Sequence, residues 1–208
     1  MPAVASWAVI LSLGLSSLWA ATVIASGTTC RPLAAHLREH LEGVTEAVID
    51  GRARALPLAA DQASKWWRTH STGFGSRLQA DSSLAELVRA AHGGNGKQAA
   101  RLAVQLSAQS FEWCGGVTGT NDRLMVLDLA GMTGWLRSRG VHLAWPGDVH
   151  VAARGVSNAL VRRHHPELAS RLERSVAALV STTESPQGDI RPATRLLDLV
   201  DEIEKVVR

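Results

Sequence analysis

The sequence predicts an all-α protein, with an N-terminal hydrophobic helix of the transmembrane or signal kind followed by a multi-helix bundle. Three observations support this fold class. No charged residue precedes Arg31 in the chain of 208 residues. Beyond that point apolar residues recur every three or four positions, which is the period of an amphipathic helix. The chain has no tyrosine and two phenylalanines, whereas β-rich domains favour aromatic and β-branched residues.

The stretch Ala5–Gly27 contains only apolar, small or hydroxyl-bearing residues. About 20 such residues in a helix span the hydrocarbon core of a bilayer. Two interpretations are open: a retained membrane anchor, which the length of the run favours, and a signal peptide cleaved near Gly27, where small residues resemble a cleavage site. We therefore divide the chain into residues 1–30, an anchor or signal segment, and residues 31–208, an α-helical domain.

Two cysteines bear on the location of the domain. Cys30 and Cys114 form an even pair, which is a disulfide candidate in an exported chain, and two free buried thiols are the alternative. A disulfide favours the extracytoplasmic side, whereas Arg31 and Arg38, placed just after the apolar segment, favour the cytoplasmic side. We expect a membrane-anchored protein with an extracytoplasmic domain. A cytoplasmic-facing domain and secretion after cleavage near Gly27 are the alternatives.

Helix-period runs in the domain alternate with breaks that contain glycine or proline. Pro32, Pro166 and Pro192 stand where first helical turns tolerate proline. Ser83 and Glu86 have the spacing of a capping box, which predicts that another helix begins there. The predicted helices cover about residues 32–49, 57–70, 83–92, 97–113, 122–139, 149–163, 167–181 and 192–207.

The second half of the domain resembles the first. When one half is displaced by 94 residues, several identical residues coincide, although a chain rich in alanine and arginine aligns with itself easily. An internal repeat of residues 31–115 and 122–208 is therefore one hypothesis, and two unrelated halves are the other. The coinciding pairs include Ala99 with Ala193, Leu102 with Leu196, and His70 with His164.

His36 and His40 are the candidate metal ligands. Residues four apart share one face of a helix, and this spacing suits a Zn²⁺ or Ni²⁺ site. With Glu39 the string also fits the H-x-x-E-H pattern of inverzincin peptidases, but the sequence identifies neither a third ligand nor a large mixed fold. Metal binding by His36 and His40 is a hypothesis, and a polar helix face near the membrane is the simpler interpretation.

Trp66 and Trp67 are candidate interface residues. Adjacent residues point about 100° apart on a helix, so one tryptophan is expected in the core while the other packs there too or faces a partner. Elsewhere, His92–Gln98 fails as a phosphate loop, because Ala91 and Gln98 replace its required glycine and hydroxyl residue. The sequence contains no catalytic motif that its context supports.

Charge argues against nucleic-acid binding. The 22 Lys and Arg residues are interspersed with 19 Asp and Glu residues, so the basic stripe expected of such proteins is missing. We expect a membrane-tethered, non-catalytic interaction or accessory protein of a membrane-associated assembly, which binds a protein partner or itself and needs no cofactor. A metal-binding or metal-sensing domain that uses His36 and His40 is the alternative.

Overall fold

The computed structural model describes residues 10–74, 78–182 and 189–207, and for residues 10–29 it describes the helical backbone alone. Within these ranges the chain forms eight α-helices, one 3₁₀ turn at Ser71–Gly73 and no β-strand. The predicted all-α class is therefore confirmed for this part of the chain. The helices are α1 (Ile10–Ile49), α2 (Leu56–His70), α3 (Leu78–His92), α4 (Gly96–Trp113), α5 (Thr120–Ser138), α6 (Val149–Arg162), α7 (Pro166–Thr182) and α8 (Arg191–Val207).

Side-chain caps fix the starts of two helices close to their predicted positions. Asn95 precedes α4 and accepts a hydrogen bond from the backbone N–H of Gln98 at 3.2 Å. Asp148 does the same for α6, where Val151 donates its N–H at 2.9 Å. Each cap satisfies a backbone donor that has no partner within its own helix.

α3 begins at Leu78, ahead of the predicted start at Ser83. Ser83 lies inside the helix, so the capping-box prediction is wrong. Ala80 precedes it and is completely buried. Burial of this earlier turn against the core outweighs the local tendency of serine to begin a helix.

α1 also begins earlier than predicted. Pro32 was expected in a first turn, but it lies inside α1, which starts at Ile10. Proline removes one backbone hydrogen bond from a helix interior. The helix nevertheless includes the turn before Pro32, where Cys30 is buried and bonded to Cys114.

No helix in the described part of the chain is both long enough and apolar enough to cross a membrane. The predicted hydrophobic segment Ala5–Gly27 lies outside the residues whose side chains are described. Its role as an anchor or signal therefore stays a prediction.

Helices α1 to α4 form a first bundle. Each helix packs against the next, and α1 packs against α4 to close the ring. Leu37, Leu41, Leu87 and Leu106 are among the buried side chains of its core.

Helices α5 to α8 form a second bundle with the same neighbour order, in which α5 packs against α8. This common order agrees with the repeat hypothesis without testing common ancestry, so the duplication stays a prediction. Buried positions in α2 and α6 also share one spacing: Leu56, Ala60, Ala63 and Trp67 in α2, and Val149, Ala153, Val156 and Leu160 in α6.

The bundles join through α4 and α5. Ala100, Val104 and Phe111 of α4 are buried in the core of the second bundle, so one continuous apolar contact holds the halves together. α1 makes no extensive contact with α5 or α8. On this side of the junction a cleft separates the two bundles.

Candidate functional site

The cleft between the bundles has a volume of about 470 Å³ and is lined by three helices. Five carboxylic side chains converge on it, and we term it the acidic cleft. α1 contributes two of them, α5 one and α8 two. They are Glu39, Glu42, Asp128, Asp201 and Glu204.

Asp128 is the most deeply placed of these carboxyl groups. Burial raises its pKa well above the usual range, and the neighbouring charges of Glu42, Asp201 and Glu204 raise it further. Within the described ranges, no hydrogen bond or ion pair engages the Asp128 side chain. By solvent exposure the residue is half-buried, and its carboxyl oxygens are not among the buried polar atoms that lack a partner, so water reaches them from the cleft.

Glu42 faces the same cleft from α1. Burial raises its pKa to about 7, and the charges of Glu46, Glu204 and Asp201 act in the same direction. The Glu42 side chain is therefore partly protonated at neutral pH. Carboxyl groups with raised pKa values that share a cleft are typical of functional sites, although structural clusters also produce them.

The nearest buried cation belongs to a different environment. Arg38 lies with its guanidinium carbon 4.2 Å from the centre of the Phe111 ring, and it donates a hydrogen bond to the Ser110 hydroxyl at 3.0 Å. Burial lowers the pKa of Arg38 to about 10, despite the opposing charges of Asp122 and Glu39. Arg38 does not line the acidic cleft, but its charge interacts with that of Glu39, which does.

The arrangement suits the binding of a positive group. Ionised carboxylates accept hydrogen bonds and attract cations strongly where water is partly excluded. Ala35, Leu124 and Met125 also line the cleft and offer an apolar surface beside the charges. Such a mixture suits a ligand with an aliphatic stem and a charged head.

His36 and His40 do not meet in a metal site with other ligands. The His36 ring nitrogen lies 3.1 Å from a Glu39 carboxylate oxygen on the exposed face of α1. The His40 ring lies 5.9 Å from the Trp66 ring. Among the residues that the structure describes, no three His, Cys, Asp or Glu side chains are placed to hold a metal ion. The metal hypothesis gains no support from this geometry and stays a prediction.

The two candidate interface tryptophans have different environments in the structure. Trp67 is 2% exposed, packs against the rings of Phe74 and Trp113, and donates its indole N–H to Asp81. It is therefore a core residue, and the interface prediction does not hold for its side chain. Trp66 is half-buried and stacks on His70 at 4.5 Å, so an interface role stays a prediction for Trp66 alone.

The two cysteines are placed as a disulfide. The sulfur atoms of Cys30 and Cys114 lie at bonding distance, 2.03 Å, and both residues are buried. The pair connects α1 to the residue that follows α4, which agrees with the predicted disulfide and not with two separate free thiols.

Sequence analysis missed the acidic cleft. One signal was available: Asp128 is the only charged residue between Arg123 and Arg137, a stretch of α5 that is otherwise almost entirely apolar. Asp201 and Glu204 gave no such signal, because acidic residues on the outer face of an amphipathic helix are ordinary.

Comparison with family models, with curated protein sequences and with solved structures finds no match for this chain.

Proposed function

We propose that this protein is a membrane-tethered, non-catalytic binding protein whose acidic cleft receives a basic side chain of a partner protein. The observation that carries the proposal is the half-buried Asp128 carboxyl group in the wall of the cleft, whose pKa is raised by burial and by the carboxylates around it. A cation in contact with it would favour its ionised form and reduce the repulsion between the neighbouring carboxylates.

A basic side chain fits the cleft better than a metal ion does. The volume of about 470 Å³ is far larger than one ion requires. The carboxylates of the described residues are also not gathered into a three-ligand group. A lysine or arginine would lay its aliphatic stem against Leu124 and Met125 and direct its charge to Asp128.

The disulfide supports an extracytoplasmic location. Disulfides persist in oxidising compartments and are rare in the cytosol. Cys30 follows the apolar stretch Ala5–Gly27 almost directly in the sequence and is bonded to Cys114. We therefore propose that the bundles are held outside the cytoplasm, close to the membrane surface.

The binding proposal is tested with the full chain in a non-ionic detergent and two fluorescent peptides that differ in one residue, arginine in one and neutral citrulline in the other. We expect fluorescence anisotropy to report binding of the arginine peptide only. Asp128→Asn should weaken this binding about tenfold, which corresponds to the loss of one charge-assisted hydrogen bond. Asp198→Asn removes an exposed carboxylate elsewhere on α8 and should have no effect.

Equal binding of the two peptides, or equal losses in the two variants, would overturn the proposal. The location is tested separately, by protease treatment of intact cells and by alkylation of free thiols. A domain that is protected from protease and has both cysteines reduced would disprove the extracytoplasmic location without affecting the binding result.

A further inference from the structure

A second depression, of about 280 Å³, lies between the start of α5 and the exposed side of α6. Arg123 of α5 and Arg154, Asn158 and Arg162 of α6 line it, and no carboxylate does. We term it the arginine groove. The three α6 residues are spaced four apart and so share one helix face. α6 itself contains no acidic residue over Val149–Arg162.

Gly155 gives the arginine groove its shape. A Cβ atom at this position would lie 2.5 Å from Cδ, 2.7 Å from Nε and 2.9 Å from Cζ of Arg123. The Arg123 side chain therefore occupies the space that any other residue at position 155 would fill. Its guanidinium is already held against the backbone of α6. Binding a ligand there therefore costs less side-chain conformational entropy.

The charges in the arginine groove are not neutralised within the described part of the chain. The side chains of Arg123, Arg154 and Arg162 form no ion pair or hydrogen bond there. Arg154 also borders a smaller depression beside Glu173 of α7, but the two side chains form no salt bridge. Three guanidinium groups around one depression repel each other until an anion is bound between them.

We propose that the arginine groove binds a phosphate group. Guanidinium groups recognise phosphate through paired N–H donors, and the Asn158 amide adds a neutral donor. Arginine stays charged throughout the physiological pH range, and a phosphate group carries at least one negative charge there. The phosphate belongs either to a soluble phosphorylated compound or to a phospholipid headgroup. This inference is independent of the acidic cleft, which lies on another part of the surface.

The test uses the full chain in a sugar-based, phosphate-free detergent. Inorganic phosphate is titrated and followed by ³¹P NMR line broadening. Mixed micelles of the same detergent with neutral or anionic phospholipid provide the lipid arm, which is read from broadening of the phospholipid ³¹P line. We expect the Arg154→Gln/Arg162→Gln variant to lose at least tenfold in affinity. Gly155→Ala should lose several-fold although every charge is kept. The matched control Arg174→Gln/Arg195→Gln removes two arginines from the groove between α7 and α8 and should bind normally.

Binding of free phosphate identifies a soluble ligand, and binding of anionic phospholipid alone identifies a headgroup; both outcomes support the arginine groove if the variants behave as expected. No binding in either arm overturns the proposal, as does an equal loss in the control. Circular dichroism checks that Gly155→Ala is folded. If it is not, Arg123→Gln replaces it, and unchanged phosphate affinity in that variant also overturns the proposal.

Discussion

The two bundles have the same neighbour order but are held together by different means. In the first bundle the Trp67, Phe74 and Trp113 rings contact one another with centres 5.0 to 5.8 Å apart, beside the disulfide. The described residues of the second bundle contain neither a disulfide nor a ring–ring pair. There, Gly131 and Gly134 of α5 let the neighbouring helices approach closely.

The same packing order of four helices is therefore stabilised by different kinds of contact in the two bundles. A Cβ atom at Gly131 would lie 2.7 Å from Leu197 of α8, and one at Gly134 would overlap Leu179 of α7. Close approach allows many small dispersion contacts between aliphatic side chains. The first bundle instead relies on large aromatic surfaces and on a covalent link that limits the unfolded chain.

The largest expected effect is removal of the disulfide. The two cysteines are 84 residues apart in the sequence, and in the chain-entropy model a loop of this size contributes about 4.5 kcal/mol to the free energy of unfolding. We expect chemical denaturation to show that the free energy of unfolding of the Cys30→Ala/Cys114→Ala variant is lower by about this amount. Hydrogen exchange should show reduced protection in α2 and α3 and unchanged protection in α6 and α7.

An equal loss of protection in all eight helices would mean that the bundles unfold as one unit. In that case the two bundles would differ in their contacts but would not unfold separately. Unchanged stability would mean that the disulfide does not reduce the conformational entropy of the unfolded chain by the amount that its loop length predicts.

The second bundle should be the more sensitive to added volume in its core. We expect Gly134→Ala to lower the free energy of unfolding by about 2 kcal/mol, the usual cost of overpacking, because Leu179 is buried and has little room to move. Gly43→Ala in α1 is the matched control. No atom lies within 4 Å of its added Cβ, so alanine should stabilise the helix by about 0.5 to 1 kcal/mol. Urea denaturation measures both, and an equal change in the two variants would contradict the proposed role of Gly134.

The sequence predicted most helix boundaries to within a few residues, because caps, prolines and apolar periods are local signals. The starts of α1 and α3 are the exceptions. Pro32 and Ser83 both carry a local preference for a helix start, and in both cases burial of neighbouring turns overrides it. Local propensity is a weak prior when tertiary contacts cover the segment.

The acidic cleft was much harder to foresee than the helices. Its carboxyl groups come from α1, α5 and α8, and they meet only because the two bundles join through α4 and α5. No sequence pattern predicts which helices form that junction. The cysteine pair was easier, since two cysteines permit a single intramolecular disulfide.

The smallest of the three expected changes in stability is a pH dependence that arises at the acidic cleft, beside the junction of the bundles. In the folded protein burial and neighbouring carboxylates raise the pKa of Glu42 to about 7, and they raise that of Asp128 as well. In the unfolded chain both groups return to ordinary values near 4. As the pH falls through 7 the folded state takes up protons that the unfolded state does not. Stability therefore rises with acidification and is lost as the pH rises through 7.

We expect the melting temperature to be about 3 to 6 °C higher at pH 5.5 than at pH 8. This corresponds to roughly 1 to 2 kcal/mol after allowance for solvent screening of partly exposed groups. Asp128→Asn should raise the melting temperature at pH 8 and flatten its dependence on pH, whereas Asp198→Asn should leave the profile unchanged. A profile that rises towards pH 8 in the unmodified chain would contradict this account. Because the acidic cleft lies where α1 faces α5 and α8, such a result would mean that the folded protein stabilises the ionised form of these carboxyl groups.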